Sequence, residues 1–167
     1  SVTYGPSGIE YTAVDCVRKS HTEIICNTAP GLGDNLNWLV TVDGQVSDLS
    51  LNTTNYKAPS ISKVFVETGK TAGGTLHRIN GTNFGVKVTG SYIEVLFDGV
   101  PITLDGGLTK KAVQGTDSEY LASRQQNGMD FIQFTLPPMI ILDQAKTVQV
   151  HVGHVNYNVD QRSNVET

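Results

Sequence analysis

The stretch "HRINGTNFG", His77 to Gly85, decides how this chain is read. A short half-polar run ends there and turn chemistry follows: Asn80, Gly81, Thr82, Asn83, Phe84 and Gly85. Two Asn and two Gly surround a single large aromatic. The same letters spell Asn80-Gly81-Thr82, an acceptor triplet for N-linked sugar.

Around it, alternation with period two recurs and helical periodicity is nearly absent. Ile93, Val95 and Phe97 share one face of "YIEVLF", and Ile132, Phe134 and Leu136 one face of "FIQFTL". Val148, Val150 and Val152 do so in "VQVHV", and Trp38, Val40 and Val42 in "WLVTV". Clusters such as "APGLGDN", "DGQ", "FDGVP", "LDGG" and "LPP" separate these runs. The one stretch of helix-friendly composition, 108–126, is interrupted by Gly115. The expectation is an antiparallel all-β chain of sandwiches.

Composition agrees. Only 17% of the 167 residues are charged, against roughly 25% in typical soluble domains. Gly, Thr, Ser, Val and Asn fill the gap, as in chains of short strands and turns. A formal net charge of −4 disfavours an electrostatic nucleic-acid binder, which needs a basic stripe. The apolar run "MIIL" at 139–142 is far too short to cross a bilayer, so no membrane insertion is expected of this segment.

The chain also repeats itself. "EIICNTAPG" (23–31) aligns with "FIQFTLPPM" (131–139), setting Cys26 against Phe134, and "WLVTVDGQ" aligns with "VQVHVGH", setting Val42 against Val152. "VTYGPSG" similarly matches "EVLFDGV". Residues 1–57 thus correspond to the later half of 58–167, and the first unit is expected to lack its opening strands. "YKAPSI" (56–61), stiffened by Pro59, marks the junction.

These residues carry a family resemblance. "PSISKVFVETGKTAGGTLHRINGTNFG" (59–85) resembles the opening of an IPT/TIG domain, an immunoglobulin-like fold, through its Pro-x-Ile start, Gly-Gly-Thr and Gly-Thr-Asn-Phe-Gly. "VLFDGVP", "IQFTLPP" and "VQVHVG" fit as well, and "CVRKSHTEIICNTAPG" is similar to the family's two-cysteine hairpin. The resemblance implies tandem immunoglobulin-like β-sandwiches: 1–57 the C-terminal half of one domain, 58–167 a complete one. It also implies that Gly81 and Gly85 adopt positive φ where the second strand turns away. Asn83 would hydrogen-bond turn backbone, and Phe84 would plug the core's open end. His77 stands where the family is usually apolar, so either His77 is buried or a bulge turns Leu76 inward.

Cys16 and Cys26 are the only cysteines. A turn near His21 would set them directly opposite each other, where a disulfide can bridge them; the alternative is two buried reduced thiols. A disulfide implies an oxidising compartment. Asn52-Thr53-Thr54 is a second sugar acceptor. With Ile79 inward, Asn80 is expected to point outward, so both Asn52 and Asn80 are glycosylation candidates. His151 and His154, three apart in a strand, point to opposite faces, and no carboxylate or cysteine cluster is apparent to complete a metal site. Asp98, Asp105 and Asp130 read as turn-capping residues.

The sequence holds no Gly-x-Ser-x-Gly elbow, paired acidic strand-end motif or phosphate-cradling glycine loop, and is read as a non-enzyme without cofactor. The expected function is a structural or adhesive repeat of a large secreted or cell-surface glycoprotein. Its partners would be neighbouring repeats, other copies or surface proteins, and covalent glycans, with no nucleic acid. Two alternatives are an intracellular transcription-factor module and an accessory domain of a carbohydrate-active enzyme. The scattered basic residues count against the first. The second would use exposed aligned aromatics, and Tyr4, Tyr11, Tyr92 and Tyr120 do not align.

Overall fold

The protein is described by a computed structural model covering residues 1–65, 73–74, 76–85, 90–102, 111–112, 123–126, 129–135, 146–157 and 159–167. Most of the helix-friendly stretch lies outside them, as do Thr75, Asp105, Tyr120, Leu136 and the "MIIL" run. The described residues are all-β, without helix.

Residues 1–57 supply six strands: β1 (Val2–Gly5), β2 (Tyr11–Thr12), β3 (Val14–Arg18), β4 (Ile24–Asn27), β5 (Asn37–Val42) and β6 (Gln45–Val46). Four of them form an antiparallel sheet in the order β2-β1-β5-β6, while β3 and β4 pair as a separate hairpin.

The remainder begins with β7 (Ser60–Phe65), β8 (Leu76–Thr82), β9 (Ser91–Phe97), β10 (Val100–Pro101) and β11 (Lys111–Ala112). It continues with β12 (Ser123–Gln126), β13 (Met129–Thr135), β14 (Val148–His154) and β15 (Val159–Arg162). One sheet runs β10-β9-β14-β15, with β11 also on β9, and the other runs β12-β13-β8-β7. Among the described residues all pairings are antiparallel, and no sheet joins strands from both sides of residue 58. The orders β2-β1-β5-β6 and β10-β9-β14-β15 match strand for strand, and the β3-β4 hairpin stands where β12-β13 does.

Alternation places the core. Val148, Val150 and Val152 of β14 meet Ile93 and Val95 of β9, together with Ile61, Ile79 and Ile132 of the other sheet. Two sheets closing on one apolar layer is the sandwich arrangement. A second cluster holds Val2, Tyr4, Tyr11, Ala13, Leu32 and Leu36, and takes Val159 from β15.

The turn chemistry is specific. Asp43-Gly44 links β5 to β6 and Asp98-Gly99 links β9 to β10, all four residues at positive φ, the conformation of two-residue hairpin turns. Asp98 additionally accepts hydrogen bonds from Lys146 Nζ (2.7 Å) and the Thr147 N–H (3.3 Å). Asp130, read as a turn residue, instead lies within β13, opposite Gly81.

The opening stretch differs from expectation in one respect. β8 does not stop at Asn80 but continues through Gly81 and Thr82. Gly81 is required for closeness and not for positive φ: a Cβ there would meet the Ser60 carbonyl oxygen at 2.1 Å and the Phe84 ring at 2.4 Å. The chain turns afterwards, with Asn83 and Gly85 at positive φ and the Asn83 amide donating to the Ala58 carbonyl (3.3 Å). Phe84 is buried in the core, as the resemblance implies. His77 is itself buried, and the register shift of this pairing falls in β7, between Ile61 and Lys63.

Candidate functional site

The cysteine hairpin is the first candidate. Val17 pairs with Ile25 and Arg18 with Ile24, which sets Cys16 opposite Cys26. The two form a disulfide with Cα atoms 4.1 Å apart, so the reduced alternative does not hold. Asp15, at positive φ, is the extra residue of a bulge beside it, and its carboxylate accepts from the Asn27 amide (3.2 Å). A disulfide on an exposed hairpin fits an oxidising environment. Cys26 packs against the first core, whereas Val14, Val17, Ile24 and Ile25 are exposed.

The two sugar acceptors have different surroundings. Asn52 is exposed, in the segment after β6, where its carbonyl accepts from the Ser50 hydroxyl (2.6 Å). Asn80 lies on the strand face opposite Ile79, yet it is only 8% exposed, contrary to the expectation of a free outward side chain. The cause is Arg78. Its Nε donates to Asn80 Oδ1 at 2.8 Å and its guanidinium sits 5.9 Å from the Phe65 ring, tying the amide down.

Residues from the two halves meet at a third place. Trp38 stacks on Tyr4 (4.4 Å between ring centres) and Tyr4 on Tyr11 (5.3 Å); Tyr157 meets Tyr11 edge-on (5.5 Å) and stacks on His154 (3.8 Å). Gln161 closes the contact. Its Oε1 accepts from the Gly33 N–H (3.0 Å) and its Nε2 donates to the Tyr56 carbonyl (3.0 Å). Gly33 is at positive φ, and a Cβ there would lie 2.8 Å from Val159. The Tyr4 and Tyr56 hydroxyls, 2.6 Å apart, both reach the Ala29 carbonyl. Burial, reinforced by the Tyr4 hydroxyl, pushes the Tyr56 phenol well above its ordinary range, and burial raises Tyr11 as well. These rings are packing groups. With Tyr4 and Tyr11 inside the core, they form no exposed sugar-stacking row.

The histidines separate as alternation predicts, but His151 is not alone. Its Nδ1 lies 3.1 Å from Glu94 Oε2 and its Nε2 2.6 Å from Asp160 Oδ2, with the Tyr92 ring edge-on at 5.7 Å. β14 brings this about by running between β9, whose Glu94 pairs with His151, and β15, whose Asp160 is diagonal to it. Sequence reasoning missed Glu94 and Asp160 because they are 57 residues before and 9 after the histidine, and only sheet order joins them. Both ring nitrogens lie within ion-pair distance of a carboxylate, and the Nδ1–Glu94 contact is the one with hydrogen-bond geometry. Among the described residues no group of three or more His, Cys, Asp or Glu is placed to hold a metal ion.

No protein-family model matches the chain, and no curated protein matches it.

Proposed function

We propose that this chain is a structural or adhesive segment of a secreted or cell-surface glycoprotein, built from tandem immunoglobulin-like units and acting by protein–protein assembly. Residues 1–57 would be the later half of one unit and 58–167 a complete one. The observation that carries this reading is the repeated sheet order, β2-β1-β5-β6 and β10-β9-β14-β15, on either side of a packed junction. A Gln161 clamp and the edge-on Tyr11–Tyr157 contact at that junction suit a stiff array better than independent beads. The disulfide supports an extracellular setting, and Asn52, exposed on a loop, is the residue we assign to carry sugar. Contacts would be made through sheet edges and faces, without chemistry at a cleft.

Intact-mass measurement of the protein from its native source, before and after reduction and deglycosylation, tests this. A gain of two hydrogens on reduction and a loss of glycan mass that maps to Asn52 are expected. Free thiols and an unmodified Asn52 would overturn the extracellular assignment.

A further inference from the structure

The connection between the halves, "YKAPSI" (56–61), has three of its carbonyls held by side-chain amides. Gln161 Nε2 donates to Tyr56 (3.0 Å), Asn83 Nδ2 to Ala58 (3.3 Å) and Asn164 Nδ2 to Ile61 (3.1 Å). Asn164 Oδ1 also accepts from the Ile61 N–H (2.7 Å), so one side chain takes both main-chain groups of that residue. Among the described residues β7 is an edge strand, and Asn164 sits on the side that no strand occupies. Gln161 and Asn164 belong to one short segment, and the residues they hold are the two ends of the connection. That segment lies along the junction as a splint. It is itself anchored on both sides. Val159 and Tyr157, just before it, pack against the first core, while the Ser163 and Glu166 N–H groups donate to Val150 and Val148 of β14.

We propose a further function for this junction: it is a force-bearing joint, in which residues 161–164 carry tension between the halves alongside the connection. This role rests on the array reading above, because tension needs chain on both sides. A pull along the array reaches β7 through Ala58 and leaves the second half through Glu166. Ile61 and Asn164 stand just inside those two points, yet they are 103 positions apart in sequence. Their paired hydrogen bonds close that loop. Tension therefore passes from Ile61 to Asn164 while the strands between them stay unloaded. Gln161 opens a parallel route, from Gly33 and Tyr56 of the first half directly into the same segment. Pro59, between the held carbonyls, fixes one more dihedral of the connection. Each hydrogen bond is modest alone, and resistance comes from having to break several together.

Single-molecule force-clamp measurements on the full 167-residue chain test this with two pairs of attachment points. Pulled through residues 1 and 167, the second half should open in one step that releases about 350 Å of chain, at ~3.3–3.6 Å per residue. Asn164→Ala should open about tenfold faster at the same force, having lost two hydrogen bonds. Asn164→Asp keeps the acceptor for the Ile61 N–H and loses the donor, so its rate should fall between. In the second geometry the attachments are Val100→Cys and Val155→Cys, both at exposed positions, and the load does not enter or leave through Ile61 or Asn164. There the Asn164 variants should open at nearly the parent rate. Three results would overturn the proposal: an unchanged rate for Asn164→Ala in end-to-end pulling, equal acceleration in both geometries, or gradual lengthening of the second half in the parent chain. Equal acceleration would mark Asn164 as an ordinary stabilising contact. The mass measurement above is independent, so missing sugar with an intact contrast between geometries would remove the extracellular reading and leave the joint standing.

Discussion

Val42 and Val152 lie on corresponding strands, each preceded by alternating apolar residues, and one is exposed where the other is core. The same holds for Ile24 and Ile132. Alternation therefore determines which face of a strand is apolar, and the second sheet determines whether that face is buried. In residues 59–167 the sheet β12-β13-β8-β7 supplies the cover. In 1–57 only the β3-β4 hairpin does so, and Val159 from the other half makes up part of the difference.

The largest expected effect breaks the two regions apart. Residues 58–167 expressed alone should unfold cooperatively in denaturant, because both sheets and the core between them are retained. Residues 1–57 alone should show no cooperative transition, having lost Val159 and Tyr157 and kept an open strand edge. A sharp transition for isolated 1–57 would mean that the halves are equivalent in stability and that the comparison is wrong.

Within the intact chain, Ile132→Ala should cost about 2–5 kcal/mol, the range for emptying a packed core site. Ile24→Ala, at the matched but exposed position, should stay within about 1 kcal/mol, nearer to surface behaviour. Urea denaturation of both variants measures the contrast directly, and equal losses would show that Ile24 is covered in solution.

The disulfide sharpens the comparison from the other side, since the second half has none. Opening it should cost the first half about 2.5–3 kcal/mol by loop-closure entropy. Trp38 fluorescence, which reports the first half alone, should then lose its transition midpoint to lower denaturant under reducing conditions. Coupling across the junction comes next. Gln161→Leu strands the buried Gly33 N–H and leaves the Tyr56 carbonyl without its donor, at about 1–3 kcal/mol. The Trp38 transition should separate from the circular-dichroism transition in that variant and coincide with it in the parent chain.

Much of this organisation was legible in the sequence, for local reasons. Asp43-Gly44 and Asp98-Gly99 are turn signals because two adjacent residues must take positive φ. The cysteine register followed from a turn near His21, and the bulge at Asp15 lies outside the pair and leaves it intact. Phe84 was readable as a core plug because its neighbours are all small or polar. Other features depended on partners distant in sequence. Asn80 was expected to be exposed from alternation alone, but Arg78 and Phe65 cover that face. Gly81 was assigned to conformational freedom, whereas its neighbour across the sheet, Ser60, is what excludes a side chain. Glu94 and Asp160 around His151, and Tyr157 and Gln161 at the junction, become visible only once sheet order is known. The signal that could have found Gln161 is its place on the inward, alternating face of "VDQR", where a polar residue calls for a buried partner.

The smallest expected effect concerns two corresponding hairpins, each held by a carboxylate. In the β1–β2 loop, burial pulls the Glu10 carboxyl upward, but hydrogen bonds from the Ser7 hydroxyl and the Ser7 and Ile9 N–H groups outweigh it and hold it below its ordinary value. At the β9–β10 turn the Lys146 ammonium, helped by the Thr147 N–H, lowers Asp98. Both groups are depressed in the folded state. Each therefore stabilises the fold above its unfolded value, about 4.3 for Glu and 3.9 for Asp. That contribution is lost as pH falls through the folded value. The two should part company in salt. Glu10 is held by neutral donors at hydrogen-bonding distance, which ions screen little, while Asp98 and Lys146 are a solvent-exposed ion pair. Titration of the side-chain carboxyl resonances by NMR in low salt and in 1 M salt should show Asp98 moving up toward its ordinary value and Glu10 nearly fixed. Lys146→Ala should reproduce the salt effect on Asp98 in low salt and leave Glu10 untouched. A parallel shift of both carboxyls in salt would mean that long-range charge, and not the local donors, sets the lowered values in both halves.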